Sequence, residues 1–358
     1  MTTEGGDSIR NRIAREIDES GPMPFDRFME VALYDPDGGY FATGPLRSER
    51  DGDFLTSPEV SPAFGETLGR FAVSERKRVG EPFTVVEVGA GSGTLLRPLL
   101  DALEEPFDAY AVEVSPSARQ RLAEIVPEAT VVGALDELPD SFAGLVIANE
   151  LLDNLPAAVV VRRGDGWRER VISADGGGLE YGEAPPRPRV AAWVDMHTPD
   201  MPEGSVVEVQ VAAEKWLSDV LGRLRRGTVL VVDYGDTTDG LARRRAEGTI
   251  RTYRGHHLGP DPLLEPGSTD VTMDVDFSAL MRAAATHGAD VRLHRQDDFL
   301  TEWGLRQTLA DLRVAELDAA RRGDTMRRFV LRSQLTDAET LLHPRGLGDF
   351  RVLVVSRA

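Results

Sequence analysis

The sequence has 358 residues, more than one domain usually contains, so a main domain with large insertions, or two domains, is expected. Its 60 acidic and 41 basic residues give a net charge of −19, which disfavours nucleic acid and anionic membranes as partners and favours a cationic one. The absence of cysteine excludes disulfides, thiolate nucleophiles and cysteine metal sites.

The N-terminal region, residues 1–80, is predicted to be helical and to carry no targeting signal. Its first 21 residues mix acids and bases without an apolar core, and no stretch of the chain approaches the ~18 apolar residues that span a bilayer. We therefore expect a cytoplasmic location. Two short helices flank "SGPMP", and "YDPDGGYF" is turn-forming. In "TSPE", Thr56 with Glu59 fits a capping box at the start of another helix.

From residue 83 the sequence alternates short apolar runs with helical stretches. This alternation predicts an α/β fold with a largely parallel sheet that helices cover on both faces. The predicted strands are 83–89, 109–115, 129–133, 145–150, 228–235, 290–296 and 350–356.

Two segments interrupt this alternation. Residues 157–183 read as a β-meander joined by glycine turns, and residues 236–275 form a polar, turn-rich excursion of the kind that is often functional. The sequence therefore predicts an N-terminal helical or lid region (1–80), the first half of the core (81–156) and the inserted meander (157–205). A return to the core (206–235), a lid or substrate segment (236–280) and the end of the core (281–358) follow.

The stretch "VVEVGAGSGTLL" (85–96) ends the first core strand in a glycine turn. Gly89, Gly91 and Gly93 follow Glu87, and such a turn lets a ligand lie close to backbone N–H groups. A dinucleotide-binding turn needs its third glycine where this chain has Thr94, so the dehydrogenase pattern is absent. A turn that holds no ligand is the alternative reading.

Acidic and amide residues follow the next core strands. Glu113 stands 24 residues after Gly89, where a carboxylate can bind both ribose hydroxyls of a nucleoside. "ANELLDNLP" then supplies polar residues at the end of the fourth strand: Asn149, Glu150, Asp153 and Asn154. Because ligands of doubly wound sheets bind at the carboxyl ends of the strands, these groups should share one crevice. The alternatives are a solvated Glu113 and helix-capping roles for the acids, including Glu59.

Together these motifs resemble class I S-adenosylmethionine-dependent methyltransferases, whose nucleotide turn is E-x-G-x-G-x-G. "ALYDPDGGYF", "GDFLTSPEVSPAFGETLG", "ANELLDNLP", "RTYRGHH" and "PGSTDVTMDVDFSAL" further resemble, in order, the sequence blocks of the MidA family. The resemblance covers residues 25–305 and implies a Rossmann-like seven-stranded sheet with its last strand antiparallel. The chain departs from many relatives at Ala90 and Ser92, in "LLDN" and in lacking a transit peptide.

The resemblance also implies the chemistry. The family's mitochondrial member methylates an arginine of a partner protein, so a protein arginine is the leading acceptor; a small amino or guanidino metabolite and a non-catalytic assembly factor are the alternatives. The enzyme would act as a monomer or homodimer. No metal site is expected, because His256 and His257 have no third ligand at a recognisable spacing.

The resemblance implies roles for the candidate residues in binding the acceptor and the cofactor. Glu150, Asp153 and Glu59 would orient the acceptor guanidinium, because paired carboxylates bind it and localise its charge. Tyr40, Phe64 and Asn154 would line the acceptor side. The residues expected to bind S-adenosylmethionine are Glu87, Gly89, Gly91, Gly93, Thr94, Glu113, Asn149, Thr56 and Ser57.

Overall fold

The computed structural model describes residues 8–42, 56–104, 106–175, 178–244, 246–254 and 257–358. His256 and the loop residues that precede "TSPE" lie outside these ranges. Among the described helices, none combines the length and the apolar character needed to cross a membrane.

The described residues form helices and strands throughout the chain. The α-helices, α1 to α13, are Ile9–Ser20, Phe25–Tyr34, Ser57–Val60, Pro62–Val79, Leu96–Asp101, Pro116–Ile125, Pro188–His197, Val211–Arg223, Thr238–Arg244, Phe277–Thr286, Gln296–Glu302, Leu305–Arg321 and Thr325–Thr340. The strands, β1 to β17, are Met23–Pro24, Thr84–Val88, Asp108–Val112, Thr130–Val132, Phe142–Asn149, Ala158–Arg163, Gly166–Asp175, Gly178–Ala184, Val206–Val209, Leu224–Asp233, Gly235–Asp236, Arg251–Arg254, His257–Leu258, Asp270–Thr272, Val275–Asp276, Asp290–Arg295 and Arg351–Arg357.

The central sheet has the strand order β16-β17-β10-β5-β2-β3-β4. Strand β17 runs antiparallel to both of its neighbours, whereas the other neighbouring pairs are parallel. Every core strand predicted from the sequence is present in this sheet. Strand β5 is buried along its whole length, as expected of a parallel strand with both faces covered. One face packs on α4 and α5 and the other on α8 and α10.

A second sheet stands beside the core and contains the predicted meander. Strands β6, β7 and β8 pair antiparallel in succession, while β9 pairs with β6 and β1 with β7. The assignment of residues 206–209 to the core sheet was therefore wrong, because β9 completes the second sheet. Its four-residue apolar pattern suits either sheet, and only pairing with β6 decides between them. The chain returns to the core with α8 and β10.

The N-terminal helices dock on this second sheet. Ile13, Phe28 and Met29 are fully buried in an apolar cluster that also contains Val159 and Ile172 of the meander. A partly buried ion-pair network adds to the contact, since the Arg187 guanidinium lies 2.7 Å from Asp26 and donates to Glu169 at 2.8 Å. Helices α1 and α2 and the meander therefore form one packed unit.

The predicted lid segment has its own secondary structure. Helix α9 is followed by a small antiparallel sheet in the order β13-β12-β14, and β15 pairs with β11. Thr272 at the end of β14 and Tyr234 after β10 are thereby brought beside the carboxyl end of β5. A helical hairpin, α12 and α13, separates β16 from β17 and packs against α4 and α11.

Candidate active site

The glycine turn after β2 requires glycine for its backbone shape. Gly89, Gly91 and Gly93 have φ values of 73°, 51° and 82°, in the left-handed region that other residues rarely adopt. A Cβ at Gly93 would lie 3.1 Å from the side chain of Leu122, so space is limited as well. The Gly89 N–H donates to the Val112 carbonyl at 2.9 Å and ties the turn to β3. The exposed backbone of this turn forms the floor of a cavity.

This cavity, called the turn cavity below, has a volume of about 130 Å³ and lies at the carboxyl ends of β2, β3 and β5. Residues from the N-terminal segment face the glycine turn across it. Its walls are formed by Tyr34, Phe41, Thr56, Pro58, Glu59, Glu87, Gly89, Ala90, Gly91, Ser92, Thr94, Leu95, Glu113, Val114, Ser115, Ala118, Asn149, Glu150, Leu151 and Asn154. Most of the candidate residues therefore come together at one site.

Two buried acceptors in the turn cavity lack a protein donor. Glu87 Oε2 and Asn149 Oδ1 have no hydrogen-bond partner among the described residues. Burial, and then the negative charge of Glu113, raise the pKa of Glu87 well above its ordinary value. Leaving such groups unpaired costs roughly 1–3 kcal/mol each. A ligand with an ammonium or hydroxyl donor would satisfy them.

Glu113 is fixed at the mouth of the cavity by backbone donors. Its carboxylate accepts from the N–H groups of Gly91 and Ser115, both at 2.8 Å. Burial raises its pKa, and these two hydrogen bonds oppose that effect. Each carboxylate oxygen retains a second acceptor lone pair. The carboxylate is thus oriented and still able to bind a pair of hydroxyls.

Glu150 has a strained backbone at the carboxyl end of β5. With φ of 49° it is the one non-glycine residue with a positive φ among the described parts of the chain. Such strain is concentrated at functional sites. Its Oε1 accepts from the Ser57 N–H at 3.2 Å and from Asn149 Nδ2 at 3.4 Å. Solvent reaches the side chain through the cavity, yet protein surrounds it, and burial followed by the charge of Asp153 raises its pKa to about 8.

Asp153 does not line the turn cavity. It is 4% exposed, and its Oδ2 accepts from the Thr272 hydroxyl at 2.6 Å and from the Tyr234 hydroxyl. Its Oδ1 has no partner in the described structure. Burial raises the pKa of Asp153, and the two hydroxyl donors oppose this. Asp153 instead lines a different cavity, which Glu150 also lines.

This second cavity has a volume of about 590 Å³. Its walls are formed by Glu150, Asp153, Asn154, Tyr234, Gly235, Arg244, Arg251, Tyr253, Asp270, Asp274, Thr340, Arg345, Gly346, Leu347, Asp349 and Phe350. Glu150 and Asn154 line both cavities. Asn154 is held by donating to Asp270 at 2.8 Å, so the boundary between the cavities is firmly built.

The structure corrects the positions of two predicted acceptor-side residues. Tyr40 and Phe64 are fully buried in apolar clusters and do not line either cavity. The chain after α2 folds back so that Tyr40 points inward and its neighbour Phe41 faces the turn cavity. Phe64 lies on the core-facing side of α4 together with Leu68 and Phe71.

Three other predicted residues act through their neighbours. Ser57 is outside the turn-cavity wall and instead orients Glu150, while Gly93 shapes the turn from beneath. Thr56 donates both its N–H and its hydroxyl to Glu59 Oε2, each at 3.1 Å, so the capping alternative is present together with cavity lining.

Sequence reasoning missed several wall residues. Tyr34, Phe41, Ser92, Val114 and Ser115 line the turn cavity, and Val114 is 50% exposed although it is apolar. Val114 and Ser115 directly follow Glu113, so proximity to the predicted ribose acid was an available signal. Tyr34 belongs to the "ALYDPDGGYF" block, but its hydroxyl reaches the Asn154 carbonyl at 3.1 Å across 120 residues of sequence, a contact that local sequence does not indicate.

Comparison with known proteins decides which ligand the turn cavity serves. The family model of S-adenosyl-L-methionine-dependent methyltransferases matches residues 67–294. The chain belongs to this family. It is 32% identical to the mitochondrial NDUFAF7 protein arginine methyltransferase homologue of Drosophila melanogaster, over 79% of this chain and 71% of that protein. The human NDUFAF7 protein arginine methyltransferase is 27% identical over 93% of this chain and 80% of its own.

A solved structure gives the same assignment. A COG1565 superfamily member from Burkholderia thailandensis bound to S-adenosylhomocysteine superimposes with a TM-score of 0.86 at 30% identity, covering 100% of this chain and 95% of the other. This methyltransferase therefore uses S-adenosylmethionine as its cofactor. The turn cavity fits that molecule, because Glu87 Oε2 and Asn149 Oδ1 are acceptors for an ammonium or hydroxyls and the glycine turn leaves room for the nucleoside.

Proposed function

We propose that this methyltransferase modifies a guanidinium nitrogen of an arginine side chain in a protein substrate. The observation that carries the proposal is the pair of carboxylates at the junction of the two cavities. Glu150 lines both cavities, and Asp153, whose buried Oδ1 has no partner among the described residues, lines the second one. The names of the relatives, which are protein arginine methyltransferases, support the same acceptor class.

The carboxylates suit a guanidinium for reasons of charge and geometry. A guanidinium stays protonated at physiological pH and presents its donors in a planar fork that matches carboxylates. Asp153 is held through Oδ2 by Thr272 and Tyr234, so its Oδ1 can accept a hydrogen bond without moving. Two carboxylates on one side of the guanidinium would draw its positive charge towards the bonded nitrogens. The remaining nitrogen then becomes the better nucleophile.

Glu150 also suits proton removal. When bound, S-adenosylmethionine supplies an electrophilic methyl group on a positively charged sulfur. A guanidinium loses one proton as its nitrogen is methylated, and the Glu150 carboxylate takes that proton. Its pKa of about 8 lies close to the operating pH, which favours a general base. Ser57 N–H and Asn149 Nδ2 keep the accepting carboxylate oriented.

The cofactor roles follow from the turn cavity. Glu87 and Asn149 would bind the methionine end through their unpartnered oxygens, and Glu113 would bind the ribose hydroxyls. Gly89 and Gly91 would bring the backbone close to the nucleoside, with Thr94 at the start of the following turn. Thr56 and Glu59 would close the cavity from the N-terminal side.

Radiolabelled S-adenosylmethionine tests the acceptor class. The purified enzyme is incubated with methyl-labelled cofactor and extract of cells lacking this gene, and the labelled protein is hydrolysed for amino-acid analysis. We expect labelled methylarginine with the wild type, and a loss of at least 100-fold in rate with Glu150→Gln, because a base that contributes 10²–10⁴-fold has been removed. The exposed Glu302→Gln variant is the matched control.

Two results would contradict the proposal. Label found only in the small-molecule fraction would instead support an amino or guanidino metabolite as acceptor. Normal turnover by Glu150→Gln, with cofactor binding intact by isothermal titration calorimetry, would remove Glu150 from the reaction.

A further inference from the structure

The second cavity offers the acceptor a route that the cofactor does not occupy. It meets the turn cavity at Glu150 and Asn154, the residues that line both. Methyl transfer is an in-line displacement, so the acceptor nitrogen must approach the methyl group from the side opposite the sulfur. With the cofactor in the turn cavity, the second cavity gives the acceptor a separate approach that reaches the cofactor site at Glu150.

The inner end of the second cavity is acidic and has one unused acceptor. Asp153, Asp270 and Asp274 are each less than 9% exposed there. Asp270 accepts from Asn154 and Asp274 pairs with Arg251, whereas Asp153 Oδ1 is buried and unpartnered within the described residues. A cationic side chain that enters the cavity would therefore meet a group of buried carboxylates at its inner end.

The outer part of the same cavity carries arginine side chains together with Asp349, whose carboxylate is already paired with other arginines. Arg244 pairs with Asp236, and Arg251 pairs with Asp274 and lies over the Tyr234 ring at 5.3 Å. Arg345 is exposed at the rim, and in the described part of the chain its guanidinium has no ion-pair partner. The cavity therefore presents carboxylates to a side chain that is inserted into it, and the Arg345 guanidinium to the part of the substrate that remains at its rim.

We infer that the second cavity admits the arginine side chain of the substrate and selects arginines that have an aspartate or glutamate close by in the substrate chain, whose carboxylate pairs with Arg345. This inference rests on the proposed function. The net charge of −19 makes the enzyme surface unfavourable for acidic peptides in general, so an accepted acidic neighbour needs a local cation. A guanidinium is suited to that role because it binds carboxylates bidentately.

A charge-swap experiment tests the selectivity. Synthetic nonapeptides carry one central arginine in a Gly/Ser background, with aspartate, alanine or lysine placed in turn at each position up to three residues away. Wild-type enzyme should show kcat/KM at least tenfold higher for the best aspartate peptide than for its lysine counterpart. Arg345→Ala should reduce this ratio to within threefold, and Arg345→Glu should invert it. An unchanged ratio in Arg345→Glu would overturn the inference.

An obstruction experiment tests the route. Thr340 lies on the cavity wall at the end of α13, so Thr340→Trp should raise KM for the best peptide at least tenfold and leave the Kd for S-adenosylmethionine within twofold. Thr336→Trp, one turn earlier, exposed and off the wall, is the matched control and should change neither value. An unaltered peptide KM in Thr340→Trp would refute entry through this cavity.

The outcomes separate the two proposals. Methylarginine formed equally well in acidic and basic peptides by every variant would overturn the selectivity while leaving the proposed function intact. If no arginine peptide is methylated, and the extract assay also yields no methylarginine, the proposed function fails and the selectivity fails with it.

Discussion

Glu150→Gln should make the folding stability fall less steeply as the pH rises, because the buried Glu150 must ionise at high pH and glutamine does not. In the folded protein, burial and the charges of Asp153 and Glu59 raise the pKa of Glu150 from 4.5 to about 8. A carboxyl group whose pKa is raised on folding contributes stability that is fully present below its unfolded value. That stability is lost as the pH rises from about 4.5 to about 8. Glutamine has no charge to bury and escapes this loss.

The magnitude follows from the two pKa values. Each pH unit between them corresponds to about 1.4 kcal/mol, which gives a ceiling of about 5 kcal/mol for the whole interval. Between pH 5.5 and pH 8.5 the ceiling is about 3 kcal/mol. Because the turn cavity admits water, which weakens the burial effect, we expect Glu150→Gln to gain about 2–3 kcal/mol relative to the wild type over this range.

Urea unfolding followed by circular dichroism at pH 5.5, 7.0 and 8.5, without cofactor, gives the free energies by linear extrapolation. The difference between wild type and Glu150→Gln reports Glu150 together with its electrostatic coupling to the neighbouring buried carboxylates Asp153 and Asp233. Glu302→Gln, at the exposed surface, is the matched control variant. If the difference in unfolding free energy between wild type and Glu150→Gln does not change with pH, the reasoning is refuted. That result would mean that burial does not raise the pKa of Glu150 in the folded protein.

Glu113→Ala should weaken S-adenosylmethionine binding at least tenfold in isothermal titration calorimetry, because the carboxylate held by Gly91 faces the turn cavity. Unchanged affinity would remove Glu113 from the cofactor site. Gly93→Ala should lower the unfolding free energy by about 1–3 kcal/mol, since φ is 82° and its Cβ would crowd Leu122. At exposed Gly222 in α8, where nothing lies within 4 Å, alanine should instead stabilise by about 0.5–1 kcal/mol; urea unfolding that gives both the same sign would contradict the strain argument. For the wild type, kcat/KM should rise about tenfold from pH 7 to pH 9, because about one tenth of Glu150 is ionised at pH 7 and about nine tenths at pH 9. A flat profile would exclude Glu150 as the base. Tyr234→Phe removes a donor that lowers the pKa of Asp153, so Asp153 is less often charged and raises the pKa of Glu150 less. The pH profile should therefore shift downward while cofactor affinity stays constant; no shift in the pH profile would contradict this coupling.

The core sheet could be predicted from local sequence. Each buried strand is a short run of Val, Ile, Leu or Ala between helical stretches, and parallel strands with two covered faces need little else. The meander was predictable for a similar reason, because glycine turns separate its strands. The four residues of β9 carry no such information, and their sheet depends on pairing with β6.

The parts of the candidate site that lie in the glycine turn and at the ends of the core strands could be predicted from the sequence. The glycine turn, Glu113 and the "ANELLDNLP" stretch each stand at a strand end, and parallel strands bring those ends to one edge. The positions of Tyr40 and Phe64 could not be predicted from the sequence, because neighbours in space decide whether an aromatic side chain faces a cavity or the core. Tyr34 and Tyr234 reach the site through contacts between segments far apart in sequence.

The sequence by itself determined the α/β core, the glycine turn and the acidic residues that follow β3 and β5, because strand periodicity and left-handed glycine backbones are local properties. The tertiary structure decided that Glu150 lines both cavities and that Asp153 lines only the second one. That division arises from the packing of β14 and Tyr234 against the 3₁₀ turn Leu152–Asn154, a contact between segments about 80 to 120 residues apart. Hydrogen bonds over such separations leave no periodic pattern in the sequence, because either partner can be any donor or acceptor that the fold brings within reach.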